Sequence, residues 1–259
     1  MSGRITISAS AVKGRVSAEE WGARVDLAAC YRLLAHFGMS DLIYNHATVR
    51  VPGTADELLI NPYGYMYEEI TASSLVRINL AGEVTFNPDP SHGINHAGYV
   101  VHSAVHSVRH DARCVIHTHS RAGMAVSALK CGLLPLTQTA MRFGHMAYHD
   151  YESVAVDLGE RERLARDLGD TDAMILRNHD LLALGPSVAE AFNTLYWLEL
   201  ACKVQIDAMA CNGELNIPSA DVQKKTAHLY APTTRRPFGI LEWPAMLRLL
   251  DRRDPGYRD

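Results

Sequence analysis

The sequence lacks a strong net charge, long basic runs and apolar segments of membrane-spanning length. Lys and Arg number 25 against 29 Asp and Glu, which gives a formal net charge of −4. No basic field is therefore expected to attract a nucleic-acid backbone. No window reaches the roughly 20 apolar residues that a transmembrane helix needs, and the N-terminus has no apolar signal-peptide core. These absences predict a cytoplasmic protein without nucleic-acid or membrane partners.

Cysteine is also sparse. The five cysteines are odd in number, unclustered and embedded in apolar stretches such as the one around Cys114. This pattern does not fit a disulfide framework and favours reduced thiols in a cytosol. What the sequence does have is 47% apolar residues in 259, enough to bury the core of one large α/β domain.

Apolar periodicity predicts alternating helices and strands. Residues 46–51 and 57–60 are typical of two strands joined by the Pro52-Gly53-Thr54 turn, an antiparallel hairpin. Spacings of three and four residues predict helices at 97–110 and 188–210. Apolar runs at 114–116 and on both sides of the 177–180 turn predict buried strands. The sheet should therefore be at least partly antiparallel.

The ends of the chain differ from its middle. Residues 1–17 have no clear periodicity and are predicted to form an N-terminal arm, followed by one domain over 18–215. Prolines at 218, 232 and 237 break up the tail. We predict that 216–259 forms a C-terminal extension packed on the domain or on a neighbouring subunit.

His117-Thr118-His119 is the most informative motif. In an extended segment, residues i and i+2 point to the same side and can bind one metal ion together. His179, in a turn between two apolar runs, is the natural third ligand, and three ligands would leave positions for water or substrate. On spacing alone an incidental arrangement is the commoner explanation, because the chain has 13 histidines.

Several segments together give a family resemblance. The stretch from residue 42 to 150 and the Arg177-Asn178-His179 turn resemble the class II aldolase/adducin family, in its adducin-like bacterial branch. The matching segments within that stretch are Asn61-Pro62-Tyr63-Gly64, Ile70-Thr71-Ala72-Ser73-Ser74-Leu75, Val115-Ile116-His117-Thr118-His119, Lys130-Cys131-Gly132-Leu133-Leu134-Pro135 and Ala147-Tyr148-His149-Asp150.

The resemblance implies a fold, a cofactor and an assembly. The fold would be a three-layer α/β/α class II aldolase-like domain with a mixed, largely antiparallel sheet. By the family's pattern, His117, His119 and His179 would bind one divalent metal per subunit, with Zn²⁺ preferred and Fe²⁺ or Mn²⁺ possible. Family members commonly form tetramers with sites between subunits, so the resemblance also implies a homo-oligomer, with a homotetramer expected.

Three departures from the family's aldolases bear on the substrate. Their Ser-Ser-Glu positions fall here on His96, Ala97 and Gly98, and their Gly-Asn phosphate loop falls on Asn45-His46. Ala97 cannot donate a side-chain hydrogen bond to phosphate and Gly98 cannot transfer a proton. We therefore expect an unphosphorylated keto- or hydroxy-carboxylate. Asp180 stands where the family has a glycine, and it tolerates a left-handed backbone less readily.

The remaining site candidates concern proton transfer and substrate binding. We predict His96 as the general acid or base in place of the glutamate, with His92 as a nearby alternative, because histidine titrates near neutral pH. His106 and Tyr148 are further catalytic candidates. Each has a structural alternative, core hydrogen bonding for His106 and a buried strand edge for Tyr148.

Substrate contacts are predicted on two parts of the chain. The turn at 61–64 should face the substrate because proline presets φ and glycine permits close backbone approach, although an ordinary turn would have the same sequence. We predict that the substrate-binding residues are His46, Asn61, Tyr63, Gly64, Ala97 and Gly98.

The sequence is compatible with three functions. The first is a metal-dependent lyase, either a decarboxylase or a retro-aldolase. The second is a non-haem iron oxygenase acting on an aromatic 2-keto or 2-hydroxy acid through the same three histidines, since some relatives have that activity. The third is a non-catalytic adducin-like interaction domain, against which the histidine triad argues, because a scaffold has no need of three converging imidazoles.

Overall fold

Eight strands form one mixed sheet in the computed structural model, which describes residues 8–152, 158–234 and 236–259. The strands are β1 His46–Arg50, β2 Glu57–Ile60, β3 Val76–Asn79, β4 Val84–Phe86, β5 Cys114–Thr118, β6 Ala147–His149, β7 Ala173–Leu176 and β8 Asp180–Gly185. Their order across the sheet is β4-β3-β2-β1-β5-β8-β7-β6. Within these residues β6 and β7 pair in parallel, and every other neighbouring pair is antiparallel.

Helices cover both faces of this sheet. They are α1 Ala9–Lys13, α2 Ala18–His36, α3 His96–Val108, α4 Arg121–Ser127, α5 Gln138–Met141, α6 Leu158–Leu168, α7 Val188–Ala210, α8 Ala220–Tyr230 and α9 Glu242–Arg253, with 3-10 turns at Tyr67–Glu69 and Pro255–Arg258. A serine caps the start of three helices: Ser17 for α2, Ser120 for α4 and Ser187 for α7. The side chain of each serine accepts a hydrogen bond from the backbone N–H of the residue three positions further along the chain. Such caps satisfy donors that a helix start leaves unpaired.

The two faces have separate cores, and β5 shows how they are divided. Cys114 and Ile116 lie in the core under α2 and α7, whereas Val115 lies in the core under α3 and α6. Successive strand residues point to opposite faces. The arrangement is a three-layer α/β/α architecture, as predicted, and the alternation places His117 on the same face as Val115, toward α3.

Most of the predicted elements are confirmed, but the helices α1, α5, α6 and α8 were not predicted. The 46–51 and 57–60 hairpin, the 97–110 helix and the 188–210 helix all occur within a few residues of their predicted bounds. α6 was missed because its residues are mostly charged; of its described side chains, Leu164 and Leu168 lie in the core. α8 was missed because it lies between the prolines of the tail, and it buries no residue.

Both ends of the chain carry structure beyond what was predicted for them. Residues 1–7 of the predicted arm lie outside the described residues, but α1 follows and Val12 is buried. At the other end, the backbone N–H groups of Ala72 and Ser73 donate to the carbonyls of Tyr257 and Asp259. Trp243 donates its indole N–H to Asp26 at 3.0 Å, which ties α9 to α2. Among the described helices, none is long and apolar enough to span a membrane.

Candidate metal centre

Three histidines converge at one edge of the sheet. His117 lies in β5, His119 follows the end of that strand, and His179 lies in the turn between β7 and β8. Their ring centroids are 4.7 to 5.0 Å apart, and one ligand nitrogen from each lies within 4.8 Å of the others. The structure thus brings together the three residues predicted as metal ligands, in a geometry that one ion can bridge.

The sequence suggested that Asp180 would have to adopt a left-handed backbone in the turn that carries His179, and the structure differs. The left-handed residue is Asn178, with φ of 56°, and asparagine tolerates that conformation. Asp180 instead begins β8, where it pairs with Leu176. The aspartate at position 180 therefore causes no backbone strain. The residue that adopts the left-handed conformation lies two positions earlier.

Hydrogen bonds to the outer ring nitrogens determine which nitrogens are left for a metal. His117 donates from Nδ1 to the carbonyl of Leu181 at 2.9 Å, and His119 donates from Nδ1 to the carboxylate of Asp41 at 3.2 Å. Both rings therefore keep Nε2 as an unprotonated donor atom. The Nε2 atoms of His119 and His179 are 2.9 Å apart. Asp41 was not predicted, because 78 residues separate it from His119 and no local pattern links them.

The electrostatic environment keeps His117 and His179 uncharged. Burial, with neighbouring imidazoles as a smaller cause, places the pKa of His117 well below its ordinary value and lowers the pKa of His179 to about 4. Neutral imidazole is the form that binds a metal ion. The three nitrogens therefore fit Zn²⁺, and an all-nitrogen set also accommodates Fe²⁺.

His46 lies between the triad and α3. Its ring stacks on His102 at 4.5 Å and meets His117 edge-on at 6.3 Å between centroids. Burial is the main cause that lowers the pKa of His46 to about 4. The backbone of Gly98 lies near the ring, but neither ring nitrogen has a partner in hydrogen-bond geometry among the described residues.

The structure does not bring His106 to the triad. Its Nε2 bonds to Thr48 Oγ1 at 2.8 Å, and the same hydroxyl bonds to Nδ1 of His102 at 2.8 Å. His106 is fully buried. It therefore lies behind Thr48 and His102, one layer further from the metal centre than His46, and its surroundings match the core hydrogen-bonding alternative.

The three residues predicted at the start of α3 have different environments. His96 is exposed and is the first residue of the helix. Ala97 lies in the same turn, and its side chain is outside the described part of the structure. Gly98 lies directly against His46: a Cβ at position 98 would be 1.7 Å from His46 Nε2.

The described contacts of the turn at 61–64 are with α2 and with the loop before α3. Asn61 is buried and its Oδ1 bonds to the hydroxyl of Tyr31 at 2.9 Å. Tyr63 donates its backbone N–H to Gly93, and its side chain is exposed. Gly64 has φ of 107°, and a Cβ there would lie 3.2 Å from His92. Only a glycine accepts that conformation readily.

Tyr148 also has a structural environment. Its hydroxyl accepts a hydrogen bond from the backbone N–H of Leu133 at 3.0 Å, and the guanidinium of Arg177 lies over its ring at 4.4 Å. Tyr151, three residues along, is more than half exposed and lies 6.1 Å from the ring of His179. Of these tyrosines, Tyr151 is the one that the structure places beside the triad.

Two buried acids behind His179 were given no functional role from the sequence. Asp180 is fully buried, and burial, followed by the negative charge of Glu199, raises its pKa to about 9. Glu199 accepts a hydrogen bond from Ser120 and lies 3.2 Å from the ammonium of Lys203. A Cβ at Gly123 would lie 1.7 Å from Asp180 Oδ1. Asp180 is therefore held protonated at neutral pH, tightly packed against α4.

Sequence comparison gives matches over most of the chain. The family described as Class II Aldolase and Adducin N-terminal domain matches residues 25–206. A Pseudomonas aeruginosa protein named after the class 2 aldolases is 47% identical over 251 residues, which cover 95% of this chain and 96% of that one. Rattus norvegicus alpha-adducin is 42% identical over 247 residues, covering 91% of this chain but only 33% of the adducin.

Solved structures agree with these matches. The crystal structure of an aldolase II superfamily protein from Pseudomonas syringae is 47% identical, with a TM-score of 0.90 over 96% of this chain and 100% of that one. An L-fuculose 1-phosphate aldolase from Glaciozyma antarctica is 27% identical, with a TM-score of 0.82 over 93% of this chain and 94% of the aldolase. The three-layer architecture is therefore shared with solved structures of both names.

Proposed function

This chain belongs to the class II aldolase and adducin family, and from that premise we propose that it is a metal-dependent lyase acting on an unphosphorylated keto- or hydroxy-carboxylate. Decarboxylation and retro-aldol cleavage are the two reactions that this proposal covers. The observation that carries it is the convergence of His117, His119 and His179, with Nδ1 of the first two already engaged by protein oxygens.

We propose Zn²⁺ as the ion, with Fe²⁺ or Mn²⁺ as alternatives, held by those three histidines. When bound, such an ion supplies a Lewis acid that stabilises negative charge developing on a substrate oxygen. The chain's own contribution is to hold the imidazoles of His117 and His179 neutral by burial and to orient the rings of the triad. Asp41 fixes the ring of His119, and the carbonyl of Leu181 fixes the ring of His117.

The proton-transfer group is a separate part of the proposal. We propose His96 for it, since this histidine is exposed at the start of α3, two residues before the glycine that contacts His46. We assign His106 and Tyr148 to positioning instead, because Nε2 of His106 bonds to Thr48 and the hydroxyl of Tyr148 accepts from Leu133. Exchange of His96 for asparagine should lower turnover while leaving metal content unchanged.

The carboxylate preference follows from what the substrate-binding candidates offer. Ala97 and Gly98 have no side-chain hydroxyl that could bind a phosphate. His46 and Asn61 are buried, and their described contacts toward the triad include no lysine or arginine. Phosphate recognition usually relies on such cations or on several donors. A keto- or hydroxy-carboxylate can instead bind by chelation, which supports the choice of an unphosphorylated acid. Tyr63 and Gly64 complete the proposed substrate contacts.

The similarity to alpha-adducin favours a second candidate, a non-catalytic interaction domain. The two candidates differ in whether the triad holds a metal, so metal content is the first discriminator. The protein is purified without added metal and without chelating resin, and bound metal is measured by mass spectrometry. About one equivalent per chain supports the enzyme, whereas metal-free protein that cannot be loaded supports the interaction domain.

Turnover then tests the reaction class. Keto- and hydroxy-carboxylates are screened under air and under nitrogen, with products detected by mass spectrometry. We expect turnover that does not depend on oxygen and that is lost in His119→Ala. Turnover that requires oxygen and incorporates labelled dioxygen would contradict the lyase and support the iron oxygenase, which an all-histidine site also permits.

A further inference from the structure

His46 lies on the same face of the sheet as the metal centre. It is the Cα partner of His117 across the antiparallel β1 and β5 pair, and directly paired residues project from the same face. The neighbouring residue, Ala47, lies in the opposite core, under α2 and α7. His46 therefore projects toward α3, beside His117.

Two contacts hold the ring of His46 in the space between α3 and His117. A Cβ at residue 98 would lie 1.7 Å from Nε2 and 1.8 Å from Cε1, so Gly98 is the residue that makes room for the ring. His102 stacks on the ring at 4.5 Å. The ring is only 2% exposed, so it fills this space rather than bordering an opening.

The imidazole of His46 occupies this space at a cost in stability. The backbones of Gly98 and Asn45 lie near the ring, but neither buried ring nitrogen makes a hydrogen bond of good geometry with the described residues, and buried polar atoms without such bonds cost stability. Asn45, whose backbone is left-handed, also has both side-chain polar atoms buried without a described partner. An aliphatic side chain of similar volume would fill the same space without that cost.

The location of the ring bears on the substrate. The first N–H groups of a helix form a position that attracts anions, and His46 covers the third residue of α3. The groups that face His46 are histidines and the backbone of Gly98 and Asn45. A substrate phosphate directed from the metal toward α3 would meet this ring instead of a cation.

We propose that His46 is a specificity-determining residue that closes the metal centre on the side of α3. The substrate class that fits is a small carboxylate whose metal-binding end is followed by at most a short uncharged group. This inference rests on the proposed function, because it assumes that the substrate binds at the triad.

The test uses two carboxylates with the same chelating end. Glycerate and 3-phosphoglycerate share a carboxylate and a 2-hydroxyl, and differ in whether the far end is a neutral hydroxyl or a phosphate. The full chain is loaded with Co²⁺, and Kd is measured from the change in visible absorption. We expect the wild type to bind glycerate at least 10-fold more tightly than 3-phosphoglycerate.

Two variants of His46 separate its volume from its polarity. His46→Ala removes most of the ring and should reduce the difference in Kd between the two ligands at least 10-fold. His46→Leu keeps a side chain of similar volume and should preserve the wild-type difference. An unchanged ratio in His46→Ala, with the Co²⁺ spectrum intact, would overturn the proposal; His46→Ser replaces the alanine variant if that one does not fold.

The contact with Gly98 gives a test that needs no ligand. Gly98→Ala should lower the melting temperature, and the double variant His46→Ala/Gly98→Ala should regain most of that loss because the added methyl group then has room. If His46→Ala does not restore the stability lost in Gly98→Ala, the steric contact between these two residues is contradicted. If wild-type protein binds Co²⁺ but neither carboxylate changes its spectrum, the proposed function fails, and this rescue still decides whether His46 fills the space.

Discussion

Asp41 accepts a hydrogen bond from Nδ1 of His119 at 3.2 Å, although 78 residues separate the two in the chain. The carboxylate orients the ring and increases the basicity of Nε2, the atom available to a metal. Asp41 is 40% exposed in its side chain, whereas Nδ1 of His117 is engaged by a buried carbonyl. Of the two orienting bonds, the one from Asp41 is the one that a substitution can remove without disturbing the sheet.

We predict that Asp41→Asn lowers metal affinity by roughly 10- to 100-fold, the range expected when a partner of a metal-binding histidine is removed. The affinity is measured by competition with a chromophoric chelator. Asp56→Asn, an exposed aspartate in the turn between β1 and β2, is the matched control and should leave affinity unchanged. Equal affinities of Asp41→Asn and wild type would exclude this orienting role.

We predict that His117→Ala, His119→Ala and His179→Ala each lose most of the bound metal, since a three-ligand site loses both a bond and its geometry with one imidazole. His102→Ala is the control, because His102 bonds to Thr48 and stacks on His46 rather than joining the triad. Metal per chain is measured after gel filtration. A triad variant that keeps one equivalent would remove that residue from the site.

Stability should fall as the pH is lowered below about 6.5. Burial, followed by the positive charge of Arg50, lowers the pKa of His106 to about 3. As the pH falls below about 6.5, this histidine becomes protonated in the unfolded chain but stays neutral in the folded chain. Its contribution to the free energy of unfolding is therefore complete above that pH and is lost progressively toward pH 3. One such group contributes a slope of about 1.4 kcal/mol per pH unit.

Urea unfolding at fixed protein concentration between pH 7 and pH 5 measures this slope. His106→Gln should have a slope smaller by about one proton than the wild type, whatever its stability at pH 7. Other buried histidines, such as His46 and His102, retain their own contributions in both proteins. Identical slopes in variant and wild type would show that His106 does not titrate in this range.

We predict a homo-oligomer, with a tetramer as the expected state, because members of this family commonly assemble in that way. Exposed apolar side chains on α8 and on the segment before α9, including Val222, Leu229 and Leu241, are surfaces that such an assembly could cover. Light scattering at micromolar concentration should give about four times the chain mass. A monomer at all concentrations tested would contradict the prediction.

We predict negligible cleavage of fuculose 1-phosphate and ribulose phosphate. The ring of His46 lies against Gly98, and neither position 97 nor 98 offers a hydroxyl or carboxyl side chain. Product aldehyde is measured in a coupled assay with the Zn²⁺-loaded protein. Efficient cleavage of either sugar phosphate would show that the carboxylate assignment is wrong.

Local sequence patterns were sufficient for the elements that have their own periodicity. The spacing of apolar residues predicted α7 and the β1 and β2 hairpin, because a helix face or a strand face repeats every few residues. His117 and His119 were paired by the same reasoning, since residues two apart in a strand share a side. α6 was missed although Leu164 and Leu168 are spaced as on one helix face, because charged residues make up most of this helix.

Tertiary structure alone decided how the site is completed. Asp41 bonds to His119 from 78 positions away in the chain, and Gly98 leaves room for His46, which is 52 positions away. No local sequence pattern predicts such contacts. The helix pattern placed His106 on a buried face but could not show that Thr48 lies between it and the centre. Periodicity determines which side of an element a residue faces, whereas the residue it meets there depends on how distant elements pack.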